Sequence, residues 1–140
     1  YYSKKMPQQK ERNYDEALTA NRVPDTEIDL KAEAFSFIQQ KKWAKALANY
    51  STLELQDQTD NEMRFYRAVA NIHQNHLELA INDLNFLLND SAQVKKDGVK
   101  WYLAIAQLQK GDSYQANILL QELALSTTSD YRTLAQELLK

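Results

Sequence analysis

YRAVANIHQNHLELAINDLNFLL, residues 66 to 88, lies without a gap over YLAIAQLQKGDSYQANILLQELA, residues 102 to 124, and that superposition decides the fold. At a shift of 36, Ala68 falls on Ala104, Ala70 on Ala106, Ile72 on Leu108, Ala80 on Ala116, Leu84 on Leu120 and Leu87 on Leu123. Upstream, AFSFIQQKKWAKALANYSTL, residues 34 to 53, places Ala34, Ile38, Ala46, Tyr50 and Leu53 at a shift of 34 from the middle copy. Self-similarity at such a period marks an array of short units, none of which buries its apolar face alone. Helices approach closely only where a short side chain lets their backbones near, so alanine at two fixed places per copy predicts the crossing points. The larger residues between them fill the groove.

Composition agrees with helices. Only 2 Gly and 2 Pro leave little material for sheet turns, and Ala, Leu, Gln, Lys and Glu are abundant, which predicts an all-α fold with short polar loops. A chain of 140 residues, 44% hydrophobic and 26% charged, is long enough for one domain with a real core. Seventeen basic against nineteen acidic residues give a net charge of −2, so no positive field draws a phosphate backbone and no nucleic acid partner is expected. The absence of cysteine rules out disulfides, thiolate catalysis and Cys-ligated zinc, and fits either redox compartment. No apolar run reaches the roughly eighteen residues of a membrane span, so no membrane insertion of this segment is expected. The opening Tyr1-Tyr2-Ser3-Lys4-Lys5, aromatics followed by lysines, is what sits at the edge of such a span, and an upstream membrane anchor is the expectation it supports.

Boundary signals follow the period. Thr26-Glu27-Ile28-Asp29 and Thr59-Asp60-Asn61-Glu62 look like capping boxes, each opening a first helix. Gly111-Asp112-Ser113 ends one helix and caps the next, and by register Lys41-Lys42 and Asn75-His76 are the corresponding turns. Helix pairs are predicted at about 27 to 40 with 43 to 56, 61 to 74 with 77 to 89, and 92 to 110 with 113 to 126. The segment Asp130 to Lys140 carries Tyr131, Leu134, Ala135, Leu138 and Leu139 at helical spacing and reads as a terminal helix covering the last apolar face. Residues 1 to about 24 are polar, contain Pro7 and Pro24, and predict an extended or partly disordered arm with one helical turn around Tyr14 to Thr19.

These residues and spacings resemble the tetratricopeptide repeat, a helix-turn-helix unit of about 34 residues. The family's small eighth position is met by Ala34, Ala68 and Ala104, its twentieth by Ala46, Ala80 and Ala116, and its large apolar site by Ile38, Ile72 and Leu108. Its last two sites are met by Tyr50, Leu84 and Leu120, then Leu53, Leu87 and Leu123. The pattern departs in lacking the family's proline near the repeat end, in leucine where a small residue is usual at the twenty-seventh position (Leu53, Leu87 and Leu123), and in Glu33, where leucine is common. The resemblance implies one domain from about residue 25 to 140, a right-handed α-solenoid of three helix pairs (about 27 to 58, 61 to 90 and 92 to 126) with a capping helix at about 130 to 140.

The same resemblance implies binding without catalysis: a protein-protein interaction module whose groove takes a peptide or helix of a partner protein. In such arrays the first helix of each pair lines the groove. Carried over position by position, the lining is Lys31, Phe35 and Gln39, then Phe65, Val69 and His73, then Trp101, Ile105 and Gln109. Phe65 and Trp101 stand out, because an exposed apolar stripe marks a binding surface unless the arm or a preceding helix covers it. The family's carboxylate clamp is not implied, since Lys31 is matched but Phe35, Tyr66, Gly98 and Tyr102 occupy its other places. Small arrays with a polar arm resemble bacterial envelope proteins tethered through an upstream anchor. The alternative is a homo-oligomeric or structural module of a larger membrane-tethered assembly.

No enzyme, metal site or cofactor is expected. His73 and His76 would share a face on one continuous helix, but the register puts a turn between them, and zinc needs three or four ligands. Gly98 and Gly111 alone make no phosphate loop, and Asp15-Glu16 sit in the polar arm. Tyr50 falls on a core position and Trp43 begins a second helix, so packing accounts for them better than base stacking does.

Overall fold

Ala34, Ala46, Ala68, Ala80, Ala104 and Ala116 are all at 0% exposure. The computed structural model describes residues 29–92 and 96–140, so the expectations for the arm and for Thr26 to Ile28 lie outside the described residues. The regular structure there is entirely helical: α1 Leu30–Gln39, α2 Trp43–Leu55, α3 Asn61–His73, α4 Leu77–Asn89, α5 Asp97–Lys110, α6 Ser113–Leu125 and α7 Arg132–Leu138. No strand occurs among the described residues. The chain divides into two compact units, residues 1–66 and 67–140, with the division inside α3.

In the first unit α1 packs on α2, and Ala34, Ile38, Ala46, Tyr50, Leu53 and Met63 are buried. Helix α1 starts at Leu30, not near residue 27, because Asp29 takes a non-helical conformation (φ −86°, ψ 92°) and its carboxylate accepts the Ala32 amide at 3.1 Å. The cap of α3 is likewise Asp60, whose carboxylate accepts the Met63 amide at 2.9 Å, and not Thr59. An acidic side chain satisfies an orphan amide at a helix start and complements its dipole.

In the second unit α4 packs on α5, α5 on α6 and α6 on α7, around Leu84, Leu87, Leu103, Leu120 and Leu123. Helix α5 starts at Asp97 and not near 92; Asp90 instead accepts the Ala92 amide at 3.0 Å within a turn. Lys96 Nζ donates to the Leu88 carbonyl at 2.6 Å, holding the start of α5 to the end of α4. Helix α7 is shorter than predicted, and of its apolar residues only Ala135 is buried; Leu134 and Leu138 are 50% and 47% exposed.

The turns that follow α1, α3 and α5 share one backbone geometry, which the end of α2 also takes at Asp57 (φ 60°). Lys41, Asn75 and Gly111 take positive φ of 61°, 64° and 98°. The following amide in each bonds back across the helix end: Lys42 to the Phe37 carbonyl at 2.8 Å, His76 to Asn71 at 2.7 Å, Asp112 to Gln107 at 2.8 Å. These are Schellman closures, in which a left-handed residue satisfies the last carbonyls. The residue that opens the next helix has φ −96°, −96° and −98°. The spacing of the three turns, 75 − 41 = 34 and 111 − 75 = 36, is that of the alanines.

One residue pair recurs with three chemistries. Asn49 Nδ2 donates to Glu33 Oε1 at 2.8 Å between α1 and α2. At the equivalent places Arg67 makes a two-pronged ion pair with Asp83, Nε to Oδ2 at 2.7 Å and Nη2 to Oδ1 at 2.8 Å, tying α3 to α4. Leu103 and Leu119 stand there on α5 and α6, both buried. Each pair is separated by 16 residues in the chain.

Candidate functional site

Trp101, Ile105 and Gln109 recur every four residues along α5 and so form one stripe. That stripe, with Tyr102, makes one wall of an open cleft of about 520 Å³ in the second unit; the end of α3 and its turn, Ile72, His73 and Asn75, make the other. Trp101, Tyr102 and Ile105 are half-buried, and His73, Asn75 and Gln109 are exposed at the rim. None of these seven lining residues is Asp, Glu, Lys or Arg. The lining is apolar at its centre and hydrogen-bonding at its edge.

Two features fix this geometry. The Tyr131 ring, just ahead of α7, stacks on Trp101 with centroids 5.5 Å apart and planes 19° apart. Such offset stacking contributes about 0.5–1.5 kcal/mol beyond area burial and holds the indole in one orientation. The ring against Trp101 therefore comes from the segment that follows α6. At the turn, buried Asn71 lies with Oδ1 3.2 Å from His76 Nδ1. His73 ends α3 and His76 precedes α4, so the two histidines belong to different elements.

Of the sequence-predicted lining, His73, Trp101, Ile105 and Gln109 are brought together in this cleft. Val69, the register counterpart of Ile105, is not available to a ligand: at 1% exposure it is a core residue of α3. Tyr102, Ile72, Asn75 and Tyr131 were missed. Tyr131 lies 30 residues after Trp101, short of the repeat period, so the register does not reach it.

The first unit has its own smaller cleft of about 240 Å³, whose apolar lining includes Phe35, Tyr50, Met63 and Tyr66. Phe35 and Phe65 both meet the Tyr66 ring edge to face, with centroids 5.0 and 5.4 Å away. Lys31 lines this cleft too, and its Nζ donates to Asp60 Oδ2 at 2.5 Å. That hydrogen bond holds the Lys31 ammonium above the ordinary lysine range. Burial pushes the Asp60 carboxyl up, but the hydrogen bonds from Lys31 and the Met63 amide, with the charges of Lys31 and Arg64, outweigh it and leave the group below the ordinary carboxylate range.

No group of three or more His, Asp or Glu side chains with metal-binding placement occurs among the described residues, and no described helix is long and apolar enough to cross a membrane. No family model, curated protein or solved structure matches the chain significantly.

Proposed function

We propose that this chain is a non-catalytic protein-protein interaction module built from tetratricopeptide-like helix pairs, and that the α3–α5 cleft binds an uncharged, apolar segment of a partner protein. The observation that carries the reading is the Trp101 indole, held flat by Tyr131 at the wall of a cleft free of formal charges. A rigid aromatic in a preformed cleft loses little conformational freedom on binding, which is the character of an interface hot spot. The three matching turns and the six buried alanines support the repeat reading beneath it.

The test is affinity capture with wild type beside Trp101→Ala, each first shown by circular dichroism to be folded. The expected result is a partner lost from the variant alone, with capture by wild type nearly unchanged between low and high salt because no ion pair is involved. Identical captures by the two proteins would reject the cleft as the binding site.

A further inference from the structure

The cleft of the first unit carries charge where the α3–α5 cleft has none. Its floor is buried Tyr50 and Met63, and its wall is a corner in which half-buried Phe35 and Tyr66 meet edge to face, 5.0 Å apart at 61°. Asp29, Asp60 and Glu62 line it against a single cation, Lys31. The positive ends of α1 and α3, about half a charge each, still leave that lining negative. Lys31 reports the field: its hydrogen bond to Asp60, with the charges of Asp60, Glu62 and Asp29, outweighs desolvation and favours the ammonium. Among the described residues, Glu62 and Asp29 form no ion pair. Lys31 and Phe35 are four apart on α1, as Glu62 and Tyr66 are on α3, so each helix sets a charge one turn before a ring.

We infer that this cleft takes an arginine side chain of a partner protein, its stem against the Phe35–Tyr66 corner and its guanidinium at Glu62 and Asp60. Charge complementarity selects a cation, because an uncharged group would desolvate the carboxylates without pairing them. The size selects one side chain: about 240 Å³ is below the roughly 300–1,000 Å³ of a site for a drug-sized ligand. The rings select arginine over lysine, since a planar, weakly hydrated guanidinium stacks on an aromatic face and grips a carboxylate with two bonds at once. The inference rests on the interaction reading of the proposed function but not on the Trp101 cleft, to which it adds a second site of opposite chemistry.

The test titrates the full chain with acetyl-Ala-Leu-Arg-Leu-Ala-amide, beside analogues carrying citrulline or lysine in place of arginine, and follows the backbone amides by NMR. Saturable shifts centred on Phe35 and Tyr66 are expected, with a Kd on the order of 1 mM that weakens as salt is raised. Citrulline keeps the shape without the charge and should bind at least about tenfold more weakly, and lysine about threefold more weakly. Two substitutions at exposed positions should act in opposite directions. Glu62→Gln weakens the arginine peptide about threefold, whereas Lys31→Met, which frees Asp60, tightens it about threefold. A gain in affinity cannot come from a damaged fold.

Citrulline or lysine binding as tightly as arginine, shifts centred on residues 72–109 instead, or weaker binding by Lys31→Met each overturns the proposal. So do shifts at Phe35 and Tyr66 that grow with protein concentration alone, since a second copy would then be the occupant. None of these variants touches the lining of the α3–α5 cleft, so loss of partner capture on Trp101→Ala is read independently.

Discussion

Asp60 and Lys31 carry a stability term with a definite sign. The Asp60 carboxyl lies below its ordinary value of 3.8, so its contribution is present above that pH and is lost as pH falls through the folded value. Lys31 lies above its ordinary 10.5, so its share is present below that pH and is lost as pH rises through the folded value. Both side chains are more than a third exposed, and solvent screening keeps the effect small. Asp60→Asn should flatten the acid limb of a melting-temperature profile below pH 4; an unchanged limb would show that other carboxylates set it. The Arg67–Asp83 pair is better shielded. Asp83→Asn, which leaves the guanidinium without its counter-charge, should cost about 2–3 kcal/mol in urea unfolding. Arg67→Leu with Asp83→Leu should recover most of that loss, because Leu103 and Leu119 already fill the equivalent places. A double variant as weak as the single one would refute the equivalence.

At the scale of elements, the turns separate backbone cost from packing cost. A Cβ built on Gly111 meets nothing within 4 Å, so Gly111→Ala is charged only for its φ of 98° and should destabilise by about 1 kcal/mol. Lys41 already bears that conformation with a side chain, and Lys41→Gly should stabilise by about 0.5–1 kcal/mol. Asn75→Gly should gain less, since asparagine tolerates the left-handed region. Urea titration of the three variants checks the ranking, and a gain from Gly111→Ala would contradict it. The turn at Gly111 was legible from its residue type, whereas those at Lys41 and Asn75 were legible only through the register. Caps were less legible. Thr59 fits a capping box as well as the aspartate beside it, and only the bond from Met63 to Asp60 decides between the two.

For the whole molecule, the helical class was written in the period of the alanines, because a backbone contact tolerates so few residue types that its positions survive as a pattern. The cleft was half legible. Trp101, Ile105 and Gln109 follow from their spacing, but Tyr131 reaches Trp101 through a terminal segment of shorter period, and Val69 shows that a stripe position near a crossing is swallowed by the core. The pairs 33/49, 67/83 and 103/119 were not legible at all. Their partners are 16 residues apart and share no residue type, so only the fold brings out their common place.

Those pairs are also unlike enough that exchanging their members between copies carries a cost. A chain of near-identical hairpins risks joining a first helix to the wrong second one, and copies with the same apolar seam would offer little to prevent it. Here, Arg67 set against Leu119 would strand a guanidinium in hydrocarbon, and Leu103 set against Asp83 would strand a carboxylate. Each exchanged pairing therefore carries a desolvation penalty that the observed one does not.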